Sequence, residues 1–484
     1  MRFLNKDQKE KIGYEYILEQ INTVTSVGTD LKQNARPYTK LREKELVKEL
    51  DNTDIFLNFI VKKKDIDSEI SFCMCRFKDL RATFKKIKDN RVMDEIELFE
   101  IKSFSKLCAD IKREYEKANI EIDEILFKDV SQVFKILDPD NLNIDTFFIY
   151  DSYSLQLKEL RQKRNSIESK IAGVKNADEQ NLLLSERLQL VALENEIEYN
   201  IKSDLTKKIN IYANDLIHNT NTIGYMDYLL AKAHFFNSSN AKKPDIFIDK
   251  YDVNDISQLD MTQVYNPYYA HILSKKNKKM TPLDIKIDKG VTLLTGANMG
   301  GKSICMKTVA LNVLLANLGM YVYSDNAKIP IVDFIYMISD DLQNVENGLS
   351  TFGAEIIYLK KIISASKHKN GLIILDELAR GTNPHEGKIL LQSVIEFFKT
   401  QDSYTFISTH FDGISYEDIK HLQVVGISKI NFEKLAQLID LNKSKALDII
   451  QEYMDYSIET SSEDEIPQNA LQIAKLLGLD STSL

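Results

Sequence analysis

The 484-residue chain has no tryptophan, only 8 prolines and only 17 glycines. So few breakers argue against a many-turned all-β fold and favour long helices. Its four cysteines, Cys73, Cys75, Cys108 and Cys305, include no C-x-x-C pair. That disfavours both a disulfide framework and a zinc site, and Cys73-Met74-Cys75 has no histidine or further cysteine nearby to complete a ligand set. A chain of this size can bury a core without disulfide staples, and the cysteine usage fits a reducing, cytoplasmic location. No run of about 18 apolar residues occurs, so no membrane span is expected. Residues 1–8 turn charged at once and hold no apolar signal region. A basic excess is also lacking: 63 Lys and Arg against 72 Asp and Glu give a net charge of −9. This argues against a generally basic nucleic-acid binder, although not against a local patch.

What is present divides the chain in two. Residues 1 to about 150 read as mostly helical, with apolar residues three and four apart in Leu41–Leu57 and Phe104–Ile120. Ser68–Phe77 is too short to assign, and a strand is open there. From Ser154 a first helix carries Leu155, Leu160 and Ile167 and stops near Gly173. A second, from Leu182, carries Leu190, Leu193, Ile197, Ile201, Leu205, Ile209, Tyr212 and Leu216, and continues through Ile223 to Ala233. Its narrow apolar stripe predicts a coiled-coil-like seam, and a first helix of about 20 residues makes the arm roughly 30 Å long. Past Pro244 the text changes. Val291–Leu294, Leu372–Leu375 and Tyr404–Ile407 are candidate buried strands separated by helical stretches, the pattern of a mostly parallel α/β sheet. The acidic run Glu459–Glu465 reads as a solvated loop.

Gly296-Ala297-Asn298-Met299-Gly300-Gly301-Lys302-Ser303 fits the phosphate-loop pattern between an apolar strand and a helix-like run. Such glycines let backbone N–H groups close around phosphates at a helix N-terminus. Lys302 is expected to reach the β- and γ-phosphates and Ser303 to hold Mg²⁺. The Leu372–Leu375 strand ends in Asp376, suited to a Mg²⁺ contact through water, and Glu377, able to polarise the attacking water. His410, after Ser408-Thr409, can donate to a γ-phosphate. Leu349-Ser350-Thr351-Phe352, with Glu355 after it, reads by itself only as a helix cap.

These blocks, in this order, resemble the ATPase domain of the MutS family, a branch of the ABC-type ATPases. Thr295–Ser303 resembles T-G-P-N-M-G-G-K-S with Ala297 in place of proline. Ser350-Thr351-Phe352 is similar to the family's signature segment, Asp376–Thr382 to D-E-x-x-x-G-T, and Thr409-His410 to its switch. Asp151–Arg161 sits where the family's lever helices begin, and Asn469–Leu479 resembles its closing helix. The resemblance implies an all-α core and lever domain with an antiparallel helical arm (residues 1–240, arm about 154–203), then an α/β phosphate-loop ATPase domain of ABC/MutS type (residues 241–484). It implies ATP and Mg²⁺ as cofactors, with Gly296, Asn298, Met299, Gly300, Gly301, Lys302, Ser303 and Gln343 at the nucleotide and Ser303 and Asp376 at the metal. Catalytic roles fall to Glu377, His410 and Ser350. Two such domains face head to tail, so Ser350 would reach the partner's γ-phosphate, hydrolysis would need a dimer, most simply a homodimer, and ATP binding would move the levers.

The text departs from the mismatch readers of that family. No F-x-E wedge is found, Phe99-Glu100 lies in a helical stretch, and the arm is short for a DNA clamp. Asp341–Ser350 and Thr382–Gly387 are closer to the second bacterial MutS lineage, which acts on recombination structures or stalled ribosomes. Its C-terminal Smr nuclease is not expected here, because the sequence stops after the closing helix. Glu452–Tyr456 and Ile466–Ala470 are also similar to stand-alone MutS-like ATPases that reactivate cobalamin-dependent aminomutases. Two targets therefore stand: a DNA structure, or a protein client such as an aminomutase. Three basic clusters, Lys62–Lys64, Lys85–Lys88 and Lys275–Lys279, are candidate phosphate contacts, although without the interleaved aromatics of single-strand binders.

Overall fold

Apolar runs of five or six residues become buried strands where both faces of a parallel sheet are covered. The computed structural model describes residues 3–247, 258–296, 301–339, 351–380, 382–411, 419–426 and 455–460. The strands among them are β1 (Asp245–Phe247), β2 (Leu259–Val264), β3 (Leu283–Ile287), β4 (Gly290–Thr295), β5 (Asn326–Pro330), β6 (Phe334–Ile338), β7 (Gly371–Asp376), β8 (Tyr404–Ser408), β9 (Lys420–Gly426) and β10 (Asp455–Thr460). A six-stranded sheet has the order β10-β9-β4-β8-β7-β6. Every pairing from β9 to β6 is parallel, and β10 adds an antiparallel edge. All three expected strands, β4, β7 and β8, lie in its centre and are buried along their whole length.

Two features differ from the sequence expectation. A second, mixed sheet, β1-β5-β2-β3, stands beside the parallel one. Glu459 and Thr460, expected in a loop, are edge-strand residues opposite Gln423 and Leu422. Helix Lys302–Asn317 packs against β5 of the small sheet and β7 and β8 of the large one. This explains why it is buried on nearly every side rather than along one stripe. Its buried amides are satisfied: Asn312 Oδ1 accepts from Tyr323 N–H at 2.8 Å, and Asn317 Oδ1 accepts from Val332 N–H at 3.0 Å.

The chain divides into two compact units. One holds Met1–Ile21, Ala35–Asp54 and Phe235–Leu484, and the other Asn22–Asn34 and Ile55–His234. The second is helical. Ser68–Phe77 proves to belong mainly to helix Lys64–Cys75, because Ile70, Cys73 and Met74, three and four apart, all enter its core. Segment Asn22–Asn34 is tied in by buried Asp227, which accepts from Val24 N–H, Thr25 N–H and Thr25 Oγ1.

The arm pairs helix Leu155–Ile171 with helix Ala177–Asn210. The expected apolar stripe is buried at its root, at Leu205, Ile209 and Leu216, and half-buried at Ile201, Ile197 and Leu190, while Ile167 of the first helix is buried further out. Leu193 is nevertheless 49% exposed and Leu188 64%, and ionic contacts join the two helices as well. Arg161 bonds Glu194 at 2.9 Å, Glu198 at 2.7 Å and Asp151 at 2.6 Å, and Arg164 bonds Glu194 at 2.5 Å. These ion pairs, together with buried Leu157 and Ile167 of the first helix, hold the helix pair in register. The second helix stops at Asn210 and a new one starts at Ala213. The join is a tightened turn closed by Tyr212 N–H on Ile209 O at 2.9 Å.

Within the same unit Lys102 and Asp138 form a buried pair at 3.3 Å. Lys102 Nζ also donates to Ile144 O at 3.2 Å and Tyr150 Oη at 3.3 Å, so residues 138–150 close around an ammonium group. Burial pushes the Asp138 carboxyl up, but the Asn143 N–H, the Tyr150 hydroxyl and the Lys102 ammonium together hold it below the usual carboxylate value. Lys102→Met is therefore expected to destabilise the protein by about 3–5 kcal/mol, because it strands a buried charge. Urea unfolding at pH 7 measures this. A folded-state value below the unfolded one means that this stabilisation is present above the ordinary carboxylate pKa and lost as pH falls through the folded value. The gap between parent and variant should thus narrow in acid.

Candidate functional site

Three neighbouring strands of the parallel sheet deliver the sequence-predicted residues to one edge, as open α/β sheets do at the carboxyl ends of their strands. From β4 the chain turns at Gly296, whose φ is 137°. A Cβ there would stand 3.0 Å from Val424 Cβ and 3.2 Å from its carbonyl oxygen, so only glycine fits beside β9. Gly301, at φ 82°, starts helix Lys302–Asn317, and a Cβ on it would meet Tyr456 of β10 at 3.0 Å. Ser303 lies exposed in the first turn of that helix. Asn298, Met299, Gly300, Gln343 and Ser350 lie outside the described residues, as does Asn469–Leu479.

Lys302 is only 5% exposed. Its Nζ donates to Gly296 O at 2.8 Å and lies 3.8 Å from Glu377 Oε1. Burial lowers the ammonium pKa, while the charges of Glu377 and Asp376 pull it back up. A cation and two carboxylates thus meet at the ends of adjacent elements. Asp376, the last residue of β7, is buried, and its Oδ1 accepts from Ser408 Oγ at 2.6 Å. Glu377 follows in a left-handed backbone, φ 51°, its N–H bonded to Ser408 Oγ at 3.0 Å and its Oε2 lying 3.4 Å from Arg380. A non-glycine residue in that region is strained, and such strain collects at functional turns.

Thr409 and His410 leave β8 beside this turn. Thr409 N–H bonds Leu294 O at 3.3 Å, which ties the segment to β4, and Thr409 Oγ1 accepts from Phe411 N–H at 3.0 Å. His410 is exposed, with its ring 4.5 Å from that of buried Phe411. Gly387 admits Phe411: a Cβ there would lie 2.8 Å from its ring.

The structure adds residues that the motifs did not single out for the site. Ser408 holds both Asp376 and Glu377. Glu355 accepts from Ala379 N–H at 3.1 Å. Val424 and Tyr456 confine the two glycines. His421, on β9, bonds Thr295 at 2.7 Å inside the sheet. The glycines gave the only sequence signal for their neighbours, since a positive φ or a close approach requires them but does not say to what.

Two of the three basic clusters have structural work. Lys63 Nζ donates to Ala118 O at 2.7 Å, capping helix Glu95–Ala118, and Lys86 pairs with Glu97. Lys275–Lys279 forms a largely exposed turn after helix Pro267–Ser274. Among the described residues no helix is long and apolar enough to cross a membrane.

A mainly parallel sheet whose adjoining strand ends gather a glycine-flanked lysine, paired carboxylates and a Thr-His segment defines an α/β domain with its candidate site at the carboxyl edge of the sheet. Comparison with known proteins narrows the class: residues 292–478 match the family model described as MutS domain V. These residues are therefore similar to that domain of the MutS family, in keeping with the motif text. A protein described as Endonuclease MutS2 from Caldanaerobacter subterraneus subsp. tengcongensis is 25% identical over 431 residues, covering 77% of this chain and 52% of that protein. The Endonuclease MutS2 of Lactococcus lactis subsp. lactis is 24% identical over 515 aligned positions, covering 92% of this chain and 63% of that protein. The DNA mismatch repair protein MutS of Fusobacterium nucleatum subsp. nucleatum is 24% identical over 478, covering 94% and 48%. The chain thus spans from about half to less than two thirds of the length of these relatives.

Proposed function

We propose that this chain binds and hydrolyses ATP with Mg²⁺, works as a dimer, and couples ATP binding to movement of its helical unit on a DNA structure. The observation that carries the reading is the buried Lys302 ammonium, held 3.8 Å from Glu377 at the edge where β4, β7 and β8 end. An ammonium desolvated in this way, beside two carboxylates, is suited to polyanionic phosphates entering at a helix N-terminus. The donor set fits Mg²⁺: Ser303 offers an exposed hydroxyl, and Asp376 a carboxylate whose orientation Ser408 fixes, both hard oxygen ligands. When bound, the metal would neutralise charge on the β- and γ-phosphates. Glu377 accepts the proton of the attacking water, and His410, exposed and braced by Phe411, donates to the γ-phosphate. By resemblance Ser350 completes the partner's site.

The DNA target rests on relatives named for mismatch repair and endonuclease activity, and on the exposed Lys275–Lys279 turn. The test is ATP turnover at about 0.15 M salt, where charges beyond roughly 8 Å are screened, with duplex, branched and single-stranded DNA added in turn and binding followed in parallel. One DNA structure should bind and raise turnover. Replacing Lys275, Lys276 and Lys279 by alanine should weaken binding and flatten its salt dependence by up to about one logarithmic unit per lost phosphate contact. ATP turnover with neither DNA binding nor response would overturn the DNA assignment and leave a protein client.

A further inference from the structure

We infer that Glu355 is the positioning residue for Glu377, setting the turnover of the site through the turn after β7; this rests on the hydrolytic role proposed above for Glu377. That turn is strained twice: Glu377 has φ 51° and Ala379 φ 66°, both left-handed and neither glycine. Backbone in that region persists only when its surroundings impose it. On one flank Ser408 receives the Glu377 N–H at 3.0 Å. On the other, two residues past Glu377, the fully buried Ala379 gives its N–H to Glu355 Oε2 at 3.1 Å.

Glu355 is an unusual choice for its place. It is 9% exposed and shares a helix face with buried Leu359 and Ile362, both in the core under the parallel sheet. A leucine would serve such a face for packing. A carboxylate is costly there unless its oxygens are used, and one of them accepts from the strained turn. The bond is charge-assisted, and helix Thr351–Ser366 is anchored by its apolar stripe, so the acceptor is fixed in space. The consequence is mechanical. Any shift of this helix is handed through Glu355 to Ala379, and so to the carboxylate that faces the attacking water.

The test uses the full chain with E355A, E355Q, E355M, E377Q and the E355A/E377Q double variant. For each, kcat, KM for ATP, affinity for a non-hydrolysable ATP analogue and thermal unfolding are measured. E355A should lower kcat by about 100-fold, the scale of an ångström-sized misplacement of a reacting group, with KM and analogue affinity within about twofold. E355Q should recover to within about tenfold of the parent, since its amide oxygen accepts the same N–H without the charge. E355M keeps the volume but offers no comparable acceptor; it should be as slow as E355A and carries the comparison if the alanine variant does not fold. The double variant should be no slower than E377Q. Parental kcat in E355M, equal rates in E355M and E355Q, or a loss confined to nucleotide affinity would each overturn the inference while leaving Glu377 in its role. Parental turnover in E377Q would instead remove the role of Glu377, and the inference with it.

Discussion

Lys302→Ala is expected to abolish measurable ATP binding at concentrations that saturate the parent. Its side chain is almost wholly buried and lies against Gly296 O and Glu377. The alanine variant would present Asp376 and Glu377 to incoming phosphates with no cation between them. Truncating one partner of a buried, hydrogen-bonded charge pair costs about 2–5 kcal/mol, which is roughly 30- to 4,000-fold in affinity. Arginine should not rescue it. A wider planar guanidinium is not a conservative exchange for an ammonium this deeply buried. Fluorescent-nucleotide titration provides the affinities and a thermal melt controls for folding. Parental affinity in the alanine variant would end the assignment of residues 296–303 as a phosphate loop.

The parts of the fold legible in the sequence are those where one physical pressure acts alone. Strands β4, β7 and β8 are covered on both faces, so their text is a continuous apolar run and their positions could be read directly. Helix Lys64–Cys75 was also written in the chain: Ile70, Cys73 and Met74 have helical spacing, but in a short window that spacing competes with a strand reading. The small mixed sheet escaped because its strands are half-buried. The pattern Leu283, Ile285, Ile287 is alternating, but over only five residues. The arm misled for a different reason. A stripe at a, d spacing says that a face is apolar and not what it faces: here Leu188 and Leu193 stay largely exposed, and ion pairs from Arg161 and Arg164 to Glu194 help to join the helices. Nor does periodicity reveal which core a segment joins. Asn22–Asn34 folds with the helical unit because Asp227, about 200 residues away, receives its backbone N–H groups.

The candidate site divides the same way. Lys302, Asp376 and Glu377 were legible because each sits at a strand-to-helix or strand-to-turn junction, where glycine and acid spacing is dictated locally. Ser408, Glu355, Val424 and Tyr456 were not assigned to the site, because their contribution is a contact made across the sheet. Ser408 meets Asp376 from the adjacent strand, in register at the end of the β7–β8 ladder. The register that pairs Leu375 with Ile407 thereby also sets the hydroxyl beside the carboxylate. Sheet register, more than motif text, brings the acid, its hydroxyl and the Thr-His segment together.

Glu377→Gln is expected to lower ATP turnover by about 10²–10⁴-fold, the usual contribution of a general base, while ATP still binds. Glutamine keeps the length of the side chain and leaves the Glu377 N–H bond to Ser408 intact, so the strained turn should survive. It removes the carboxylate that lies 3.8 Å from Lys302 and 3.4 Å from Arg380. Lys302 then loses one of the two negative charges that hold its ammonium up against burial. Its remaining attraction is for Asp376 and for phosphate, so ATP affinity should be equal to the parent's or higher. Tight binding without turnover holds whatever state ATP favours. In a dimer with composite sites that state is the closed one, so E377Q with ATP should elute as a stable dimer where the parent re-equilibrates. Light scattering behind size exclusion reads this directly. A variant that turns over ATP at the parental rate would mean that the water is activated elsewhere; one that is inactive because it no longer binds ATP would make Glu377 a part of the phosphate cradle instead of the base.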